Sequence, residues 1–474
     1  MLFNNFAHLG NLTTTSATDR VCGVDLSRHI AVRAAEFKGI VGPHDRVLIC
    51  HGGSAGFVID LLAVWSLGAA AACVNPTITD NEKKTLTDFL KPRLILNSPD
   101  TSPVYTTENP QGARSDAPSL DDPALYLFTS GTTGNPKGVE HTFRSLLCRI
   151  ALNQAYIGTD CLQKALCPLP THFGHGLIGN LLTPLLNGSD VVLLDDKSPA
   201  GLAKLGQIID EFDIRFLSSV PSFWKLVTRF SKPPANGTLK RVHVGSAPLS
   251  TDLWQAIAEW AGTRQVFNMY GITETANWIG GTSLDQSKQQ DGQIGEVWGG
   301  SALVKNSKTG KISATGTGEL LIQSPSLMTG YYQQPDLTAQ VLKDGWFHTG
   351  DIGVIDKEGS IQITGRQKSE INRAGIKISP EEIDLLLERH PDIQEVCVFG
   401  LPDPISGESV AAACVLKEQT ERTPKDLRNW LKGYIRREAI PEHWFFLAEI
   451  PKTDRGKINR NIVRDVCLEV SKSK

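Results

Sequence analysis

A glycine- and hydroxyl-rich loop from Thr129 to Gly138 carries the most distinctive chemistry of the sequence. The loop reads TSGTTGNPKG, follows an apolar run at 124–128 and precedes a predicted helix over about 141–156. Its first two glycines let backbone N–H groups turn inward, and hydroxyls and a lysine surround the space between them, as in proteins that cradle a phosphate. It is not a Walker A loop, because Pro136 stands where that motif requires glycine and Gly138 where it requires serine or threonine.

Five further segments follow this loop in a fixed order. They are Val244–Pro248, Asn268–Glu274, Gly345–Asp351, Gly365–Ile383 and Pro451–Ile458. Together with the loop they resemble the motifs of adenylate-forming enzymes, the family of acyl-CoA synthetases, peptide-synthetase adenylation domains and luciferases. The resemblance spans about residues 40–460. Six motifs in order make a chance agreement negligible.

The resemblance implies that a substrate carboxylate attacks the α-phosphorus of ATP, giving an acyl-adenylate and pyrophosphate. Lys137 would add charge beside the phosphates, and Thr273 would donate to the α-phosphate. Glu274 would be the ligand for Mg²⁺, a hard cation that prefers oxygen ligands and bridges phosphates. The residues expected to hold the phosphates are Thr129, Ser130, Gly131, Thr132, Thr133 and Gly134.

The nucleoside half of ATP would bind to the later motifs. Asp351 is expected to accept both ribose hydroxyls, and Arg366 is expected to reach the ribose or a phosphate. Tyr270 would stack on the adenine, and Asn268 offers an amide to its amino group. The remaining residues expected to contact the nucleotide are Gly245, Ser246, Ala247 and Gly271.

Lys457 follows Gly456 near the end of the matched region, and the resemblance makes it a catalytic residue. A lysine is a compact charge on a flexible stem, suited to bridging an incoming carboxylate and the α-phosphate. The resemblance also implies a second half-reaction, in which a small C-terminal domain rotates and the acyl group passes to a thiol. Lys368 would be the pivot, and the backbone at Gly375 would line the tunnel of the pantetheine arm.

The acid is expected to enter beside 168–177, PLPTHFGHGL, which matches the acyl-pocket gate of the family. This stretch contains no aspartate to pair with an α-ammonium group, so we expect a simple carboxylic acid, apolar or aromatic, rather than an amino acid. His172 and His175 flank Phe173, and the sequence leaves open whether either of them acts as a gate or instead packs in the core or supports the pocket from behind. Trp278 and Trp224 are candidate neighbours of the pocket, although Trp224 fits core packing equally well.

The thiol acceptor and the function class stay open between several alternatives. A predicted helix face is partly shared by Arg422, Lys425, Lys432, Arg436 and Arg437, since residues 425, 432 and 436 are seven and four positions apart. These cations fit the phosphates of coenzyme A, an acidic carrier protein bearing a phosphopantetheine arm, or a solvated helix face. The chain is therefore expected to be an AMP-forming acyl-CoA synthetase. The alternative is a ligase that loads an acyl- or peptidyl-carrier protein. A non-catalytic homologue is disfavoured because Lys457 and Glu274 are intact.

Composition limits the class of protein before any motif is considered. The 474 residues allow about three domains or subdomains. The net charge of −3 gives no basic field for nucleic acid. The nine cysteines contain no CxxC pair, so neither a disulfide framework nor a zinc ribbon is expected. We therefore expect a cytoplasmic location. The apolar run 57–74 is interrupted by Asp60 and predicts a buried helix and strand instead of a membrane span.

Apolar strands alternate with amphipathic helices through most of the chain. This rhythm predicts an α/β protein with largely parallel sheets covered by helices. From about 295 to 365 short β runs and glycine-rich turns predict a small antiparallel β subdomain. We therefore expect a large N-terminal domain, 1–365, that binds ATP and the acid. A small, mobile α+β C-terminal domain, 366–474, would carry the catalytic lysine.

Overall fold

The structure is a computed structural model, and its description covers most of the chain. The described residues are 8–16, 20–98, 104–105, 118–129, 136–286, 290–373, 376–418, 420–453 and 457–472.

Strands and helices alternate from the first described residues to Ser283. The strands are β1 (Leu12–Thr14), β2 (Arg20–Val21), β3 (Arg46–Ile49), β4 (Ala70–Cys73), β5 (Leu94–Leu96), β6 (Val104–Tyr105), β7 (Pro123–Thr129), β8 (Lys137–Thr142), β9 (Lys164–Cys167), β10 (Asp190–Leu193), β11 (Phe216–Ser219), β12 (Arg241–Gly245), β13 (Val266–Gly271) and β14 (Trp278–Ser283). The helices are α1 (Gly23–Phe37), α2 (Ala55–Ser66), α3 (Asp80–Leu90), α4 (Phe143–Ile157), α5 (Thr159–Leu162), α6 (Thr183–Leu185), α7 (Pro199–Leu202), α8 (Leu205–Glu211), α9 (Pro221–Phe230) and α10 (Thr251–Ala261), with a π-helix at His175–Leu182.

These strands form most of two mixed sheets with helices on their faces. The eight-stranded sheet has the order β14-β13-β12-β11-β9-β10-β1-β2 among the described strands. Its pairs from β13 to β1 are parallel, and the outer pairs β13–β14 and β1–β2 are antiparallel. In the other mixed sheet, β3 pairs in parallel with β4 and β5, and β4 with β7. The predicted α/β fold with largely parallel sheets is confirmed.

The loop TSGTTGNPKG connects two antiparallel strands, and this corrects one detail of the expectation. We expected the loop to lead directly into a helix. Instead β8 turns back along β7, with Phe128 opposite Gly138, before α4 begins at Phe143. Val139 and His141 are buried in β8, and burial of its apolar positions favours a strand where the sequence suggested a helix start.

An antiparallel β region follows, from Gln293 to Arg366. Its strands are β15 (Gln293–Gly295), β16 (Ser301–Lys305), β17 (Ile312–Ser313), β18 (Gly316–Gln323), β19 (Gly330–Tyr331), β20 (Leu342–Lys343), β21 (Trp346–Ile355) and β22 (Ile361–Arg366), with the helix α11 (Pro335–Val341). All except β19 belong to one seven-stranded sheet among the described strands. β19 instead pairs with β8 and so extends the second mixed sheet.

The last part of the chain has its own sheet and core. Its strands are β23 (Ile371–Arg373), β24 (Ile376–Ile378), β25 (Ile393–Asp403), β26 (Gly407–Leu416) and β27 (His443–Phe446). Its helices are α12 (Pro380–Glu388), α13 (Pro424–Leu431) and α14 (Arg460–Lys472). Residues such as Leu387, Val398 and Leu427 are fully buried together between the sheet and the helices. Burying each such side chain contributes about 1.5–3 kcal/mol.

The predicted basic helix face in this region is wrong. We expected residues 425, 432 and 436 to share a helix, but α13 ends at Leu431. Lys432 is its C-cap, Gly433 follows, and glycine is a poor helix former. Arg436 instead precedes a 3₁₀ turn at Arg437–Ala439, so the three cations do not lie along one helix.

The apolar run at 57–74 forms α2 and β4, as expected. Leu61, Leu62 and Val64 are fully buried in the largest core cluster. The Trp65 indole donates to the Ala124 carbonyl at 2.8 Å and so ties α2 to β7. No helix in the described ranges is both long and apolar enough to cross a bilayer.

Asp60 interrupts the apolar run 57–74 because its carboxylate balances the charge of Arg33. Its carboxylate lies 2.7 Å from Arg33 Nε of α1 and 2.8 Å from His51 Nε2, and its side chain is only 1% exposed. An ionised carboxylate in a protein core requires such partners, since desolvating an unpaired charge costs several kcal/mol.

We predict that Asp60→Ala lowers the free energy of unfolding by about 3 kcal/mol, because the largely buried guanidinium of Arg33 loses the buried carboxylate at Nε and keeps only the exposed Glu36 at Nη1. Denaturant unfolding followed by far-UV circular dichroism measures this change. Asp121→Ala is the matched control, since it breaks an exposed carboxylate–arginine pair with Arg144 and should cause no measurable loss. Equal stability of the two variants would contradict the role of Asp60.

Candidate active site

The candidate site lies where parallel strands of the eight-stranded sheet end. The register places Ser219 of β11 beside Val244 of β12, and Gly245 beside Met269 of β13. The segments that follow β9, β11, β12 and β13 therefore meet at one edge of the sheet. Ligands of α/β proteins bind in crevices at the carboxyl ends of parallel strands. Three motif segments of the sequence analysis, 168–177, 244–248 and 268–274, reach this edge.

His175 begins the π-helix and is held by two serine hydroxyls. Its Nδ1 lies 2.9 Å from Ser246 Oγ, and its Nε2 lies 2.7 Å from Ser218 Oγ. Burial lowers the pKa of His175 to about 3, and the nearby charge of Lys457 lowers it further. The ring is therefore neutral at physiological pH, so one nitrogen donates and the other accepts. The structure places His175 as a buried support of the site rather than as an exposed gate.

Trp278 forms a wall behind His175. The centroids of the two rings lie 5.2 Å apart in an edge-to-face arrangement. The His243 ring also lies edge to face with the indole, with 4.8 Å between the centroids. A Cβ built on Gly179 would lie 2.7 Å from Trp278 Cη2, so only glycine lets the indole lie against the π-helix. Trp224, the other candidate neighbour of the pocket, is fully buried in a separate core cluster and edge-on to Trp260.

Glu274 lies in the turn after β13 and makes two side-chain contacts. Lys137 Nζ lies 3.4 Å from Glu274 Oε1, and the Tyr331 hydroxyl donates to the same oxygen at 2.8 Å. Lys137 also lies over the Tyr331 ring, 3.9 Å from its centroid. Burial lowers the pKa of Lys137, although the Glu274 charge opposes this shift. Among the described residues Glu274 Oε2 has no hydrogen-bond partner, so it remains available to a hard cation.

The backbone of this turn is fixed from β8 and from the β region. His141 Nε2 lies 2.8 Å from the Thr273 carbonyl. Since a carbonyl can only accept, this nitrogen carries the proton. Burial lowers the pKa of His141 to about 4, which keeps the ring neutral. Met328 N donates to the Glu274 carbonyl at 2.8 Å, so both residues of the predicted catalytic pair have anchored main chains.

Asp351 and Arg366 face each other across the antiparallel pair β21–β22. Arg366 Nε lies 2.6 Å from Asp351 Oδ1, and the Tyr270 hydroxyl donates to Asp351 Oδ2 at 2.5 Å. The Asp351 charge raises the pKa of Arg366, and burial raises that of Tyr270. The structure thus joins three of the residues expected to hold the nucleoside into one charged cluster.

Other predicted nucleotide contacts are buried within strands. Asn268 is almost fully buried in β13, where its Nδ2 donates to the Gln293 carbonyl at 2.8 Å. Gly245 ends β12, and a Cβ there would lie 3.0 Å from the Met269 carbonyl, so the close strand pairing favours glycine. Ser246 follows with a φ of 70°. Gly271 ends β13 and Ala247 follows Ser246 at the same edge.

Lys457 comes from the C-terminal part of the chain and lies close to the edge. It is exposed, its N–H donates to Thr453 Oγ1 at 3.3 Å, and its charge acts on His175. Contacts between α12 and the N-terminal part accompany this placement. Lys225 Nζ lies 2.7 Å from Glu388 Oε1, and Arg389 pairs with Asp291. That Lys457 acts together with Thr273 and Glu274 stays a prediction.

Several expected site residues cannot be placed. Ser130, Gly131, Thr132, Thr133, Gly134 and Gly375 lie outside the described residues, as does the side chain of Thr129.

Sequence reasoning missed residues that the structure brings to the site. Tyr331, His141 and Ser218 contact motif residues from segments that the motifs do not include. A lone histidine or tyrosine on a short strand carries no pattern of its own. Only the pairing of β19 with β8, and of β11 with β12, reveals what these side chains contact.

A strand edge that carries the Glu274–Lys137 pair and the Asp351–Arg366 cluster is typical of α/β enzymes that bind nucleotides. Comparison with known families gives the particular group. The AMP-binding enzyme family matches residues 25–332, and the family of the AMP-binding enzyme C-terminal domain matches residues 382–457. The chain therefore belongs to the AMP-binding enzymes.

Individual relatives agree with this assignment. The chain is 29% identical to an oxalate–CoA ligase of Arabidopsis thaliana over 94% of this chain and 92% of the relative. It is 31% identical to a sulfoacetate–CoA ligase of Cupriavidus necator over 77% of this chain and 72% of the relative. The ATP-bound crystal structure of MatB from Rhodopseudomonas palustris has the same fold, with a TM-score of 0.85, 23% identity, and coverage of 98% of this chain and 96% of that chain.

These findings confirm the expected class, an AMP-forming acid–thiol ligase that uses ATP, Mg²⁺ and coenzyme A. The site chemistry fits the metal. Glu274 is a single carboxylate with one open oxygen, and the described residues contain no cluster of three or more metal-binding side chains. Mg²⁺ is commonly held by one or two carboxylates together with substrate phosphates, so a lone carboxylate beside Lys137 suits it.

We predict that Glu274→Gln raises the Mg²⁺ concentration needed for ATP–pyrophosphate exchange by about tenfold or more, because an amide lacks the negative charge that binds the cation. Exchange is measured against Mg²⁺ at fixed ATP. Glu140→Gln is the matched control, since Glu140 also accepts from a tyrosine hydroxyl, that of Tyr126. An unchanged Mg²⁺ requirement in Glu274→Gln would contradict the metal assignment.

Proposed function

We propose that this protein activates a compact, polar carboxylic acid with ATP and transfers the acyl group to coenzyme A. The observation that supports this proposal is the contact of Glu274 with Lys137 and Tyr331 at the strand edge that also holds Thr273 and His175. Lys457 comes from a separate part of the chain, and its charge acts on His175. It would supply a second cation where a carboxylate and an α-phosphate must meet.

In the first half-reaction a carboxylate oxygen forms a bond to the α-phosphorus, and the bond to the pyrophosphate oxygen breaks. Negative charge accumulates between two groups that repel each other. Lys457 would neutralise this charge, and Thr273 would donate a hydrogen bond to the α-phosphate. Mg²⁺, when bound, would stabilise the leaving pyrophosphate. Glu274 would hold the cation, and Tyr331 would orient the Glu274 carboxylate.

The nucleoside would be held by the cluster around Asp351. Opening of the Asp351–Arg366 pair would free a carboxylate for the two ribose hydroxyls and a guanidinium for an anion. Tyr270, Asn268, Gly271 and the turn at Gly245–Ala247 would line the adenine. We propose that Thr129–Gly134 and Lys137 bind the outer phosphates.

A compact acid suits the wall behind His175. Trp278, Phe216 and His243 fill this space and contact one another. The indole N–H of Trp278 is buried and has no hydrogen-bond partner among the described residues. A buried donor of this kind favours a polar substrate, since leaving it unpaired costs about 1–3 kcal/mol. This proposal replaces the expectation of an apolar or aromatic acid, and the names of the oxalate and sulfoacetate ligases support it. The stretch 168–177 still contains no partner for an ammonium group.

We further propose that the chain divides into 1–365, with its β subdomain near 295–365, and a mobile part, 366–474. Lys368 would be the pivot between half-reactions, and the backbone at Gly375 would line the path of the pantetheine thiol. All nine cysteines lie in described segments as free thiols, which supports work in the cytoplasm. A phosphopantetheinyl carrier protein is the alternative acceptor, and thioester formation with each thiol distinguishes the two.

We predict that Lys457→Ala reduces acid-dependent ATP–pyrophosphate exchange at least about 10²-fold, because the variant loses a charge that stabilises only the first transition state. Transfer from supplied acyl-adenylate to coenzyme A should be largely retained. Lys452→Ala is the control: Lys452 precedes the same loop but pairs with Glu395. Equal loss of both half-reactions in a folded Lys457→Ala protein would contradict this role.

We predict that Trp278→Ala shifts the preferred acid toward longer chains, because it removes the wall behind His175. The measurement compares kcat/KM for oxalate, malonate and sulfoacetate with that for propionate, hexanoate and benzoate. The wild type should favour the first three, and the variant should gain about tenfold or more on hexanoate relative to malonate. Trp298→Ala is the control, since Trp298 stacks on Tyr156 at 4.0 Å. A wild type that prefers hexanoate would refute the compact acid.

A further inference from the structure

Arg149 is a buried arginine without an acidic partner. It lies on α4, whose first turn is capped by Thr142 Oγ1 accepting from Ser145 N at 3.1 Å. The residue is fully buried, and no carboxylate of the described residues lies within 4 Å of its guanidinium. Burial lowers the pKa of Arg149 to about 10, so the side chain stays charged at neutral pH. A buried charge of this kind is retained only if neutral acceptors surround it.

The acceptors of Arg149 are one carbonyl and two serine hydroxyls. Nη1 donates to the main-chain carbonyl of Trp278. Nε and Nη2 both donate to Ser326 Oγ, at 3.1 and 2.9 Å, and Nη2 also reaches Ser324 Oγ at 3.2 Å. A guanidinium can only donate, so both hydroxyls accept from it and keep their own protons for other partners.

Each hydroxyl also contacts a different carbonyl. Ser326 Oγ donates to the Thr275 carbonyl at 3.2 Å, and Ser324 Oγ donates to the Gly299 carbonyl at 3.0 Å. The two hydroxyls lie 3.0 Å apart, and Ser326 N donates to Ser324 Oγ at 3.3 Å. The first carbonyl belongs to the turn that carries Thr273 and Glu274, whereas the second belongs to the β region. Arg149 thus holds the turn directly at Trp278 and, through Ser326, at Thr275.

The turn between Ile272 and Trp278 requires such support. Ala276 has a φ of 66°, a left-handed conformation that a residue with a Cβ adopts reluctantly. The turn also packs tightly on the gate segment, since Asn277 Nδ2 donates to the Gly174 carbonyl at 2.9 Å. A small displacement of the turn would therefore move Glu274 on one side and the Trp278 indole on the other.

We infer that Arg149 is a positioning residue of the adenylation site, which clamps the turn 272–278 at Thr275 and at Trp278 and thereby fixes the Glu274 carboxylate and the Trp278 wall. The inference rests on the proposed function, because Glu274 and Trp278 receive their roles there. It assigns to Arg149 no contact with substrate.

The test compares Arg149→Met and Arg149→Lys with a matched pair of serine variants. Ser326→Ala cuts the connection to Thr275, whereas Ser324→Ala removes an equivalent hydroxyl that also accepts from Arg149 but leads to Gly299. Hydrogen–deuterium exchange of peptides covering 271–279, without any ligand, reports on the turn. Steady-state kinetics report the KM for Mg-ATP and the ratio of kcat/KM between malonate and hexanoate.

We expect Arg149→Met and Ser326→Ala to raise exchange in the turn, to raise the KM for Mg-ATP severalfold, and to change the acid ratio. Ser324→Ala should have clearly smaller effects on all three, because it removes a hydroxyl beside Ser326 but leaves the hydrogen bond from Ser326 to Thr275. Arg149→Lys should restore part of the loss because an ammonium can still donate to a carbonyl. Equal effects of Ser324→Ala and Ser326→Ala would overturn the inference. So would an Arg149→Met protein that loses stability but keeps wild-type exchange in the turn and wild-type KM and acid ratio.

The two proposals fail in different ways. If the wild type activates no carboxylic acid, the proposed function fails, yet the exchange measurement still decides whether Arg149 clamps the turn. If the enzyme activates malonate but Ser326→Ala shows wild-type hydrogen–deuterium exchange in the turn, only the inference that Arg149 clamps the turn is refuted. If Arg149→Met does not fold, the comparison of Ser326→Ala with Ser324→Ala still decides whether Arg149 clamps the turn.

Discussion

The contact of Glu274 with Lys137 and Tyr331 joins three segments that are far apart in the sequence. Glu274 follows β13 of the eight-stranded sheet, and Lys137 opens β8 of the other mixed sheet. Tyr331 lies on β19, which leaves the antiparallel β region to pair with β8. A site built to bind polyphosphate needs cations, and cations left alone would repel one another. One carboxylate shared between a lysine and a tyrosine therefore holds the three parts together and remains open to a metal.

The need to limit positive charge at the site also explains why the buried histidines are neutral. His141, His175 and His243 are buried at or near the site, and burial lowers the pKa of each. Neutral rings provide hydrogen bonds to Thr273, Ser218 and Ser246 without adding positive charge beside Lys457. In the proposed mechanism Lys457 would then be the charge that differs between the two half-reactions. Protonated histidines would have supplied permanent charge, which stabilises ground state and transition state alike.

The sequence motifs located the site edge because each follows a strand end or turn, and strand ends are readable from local pattern. Residues 244–248 and 268–274 lie where expected, and the parallel sheet follows from the alternation of strands and helices. Contacts between segments that are distant in the sequence could not be predicted from local sequence patterns. Arg149 and Ser326 are 177 positions apart, and His175 and Ser246 are 71 apart. The strand β8 was missed for a related reason, since its pairing with β7 and β19 joins segments whose contacts a local pattern does not show.

Selectivity for the acid depends on more than the residue that lines the pocket. The Trp278 indole is confined by Gly179, His175 and His243, while its carbonyl is held by Arg149 from another helix. Replacing the indole by a small side chain opens space bounded partly by His243, whose Nδ1 is buried without a partner among the described residues. An alkyl chain in that space would leave His243 Nδ1 without a hydrogen bond, so His243 limits the gain that Trp278→Ala gives to longer acids. A change at 243 together with 278 would therefore extend the shift, and the proposed compact pocket would depend on the whole wall.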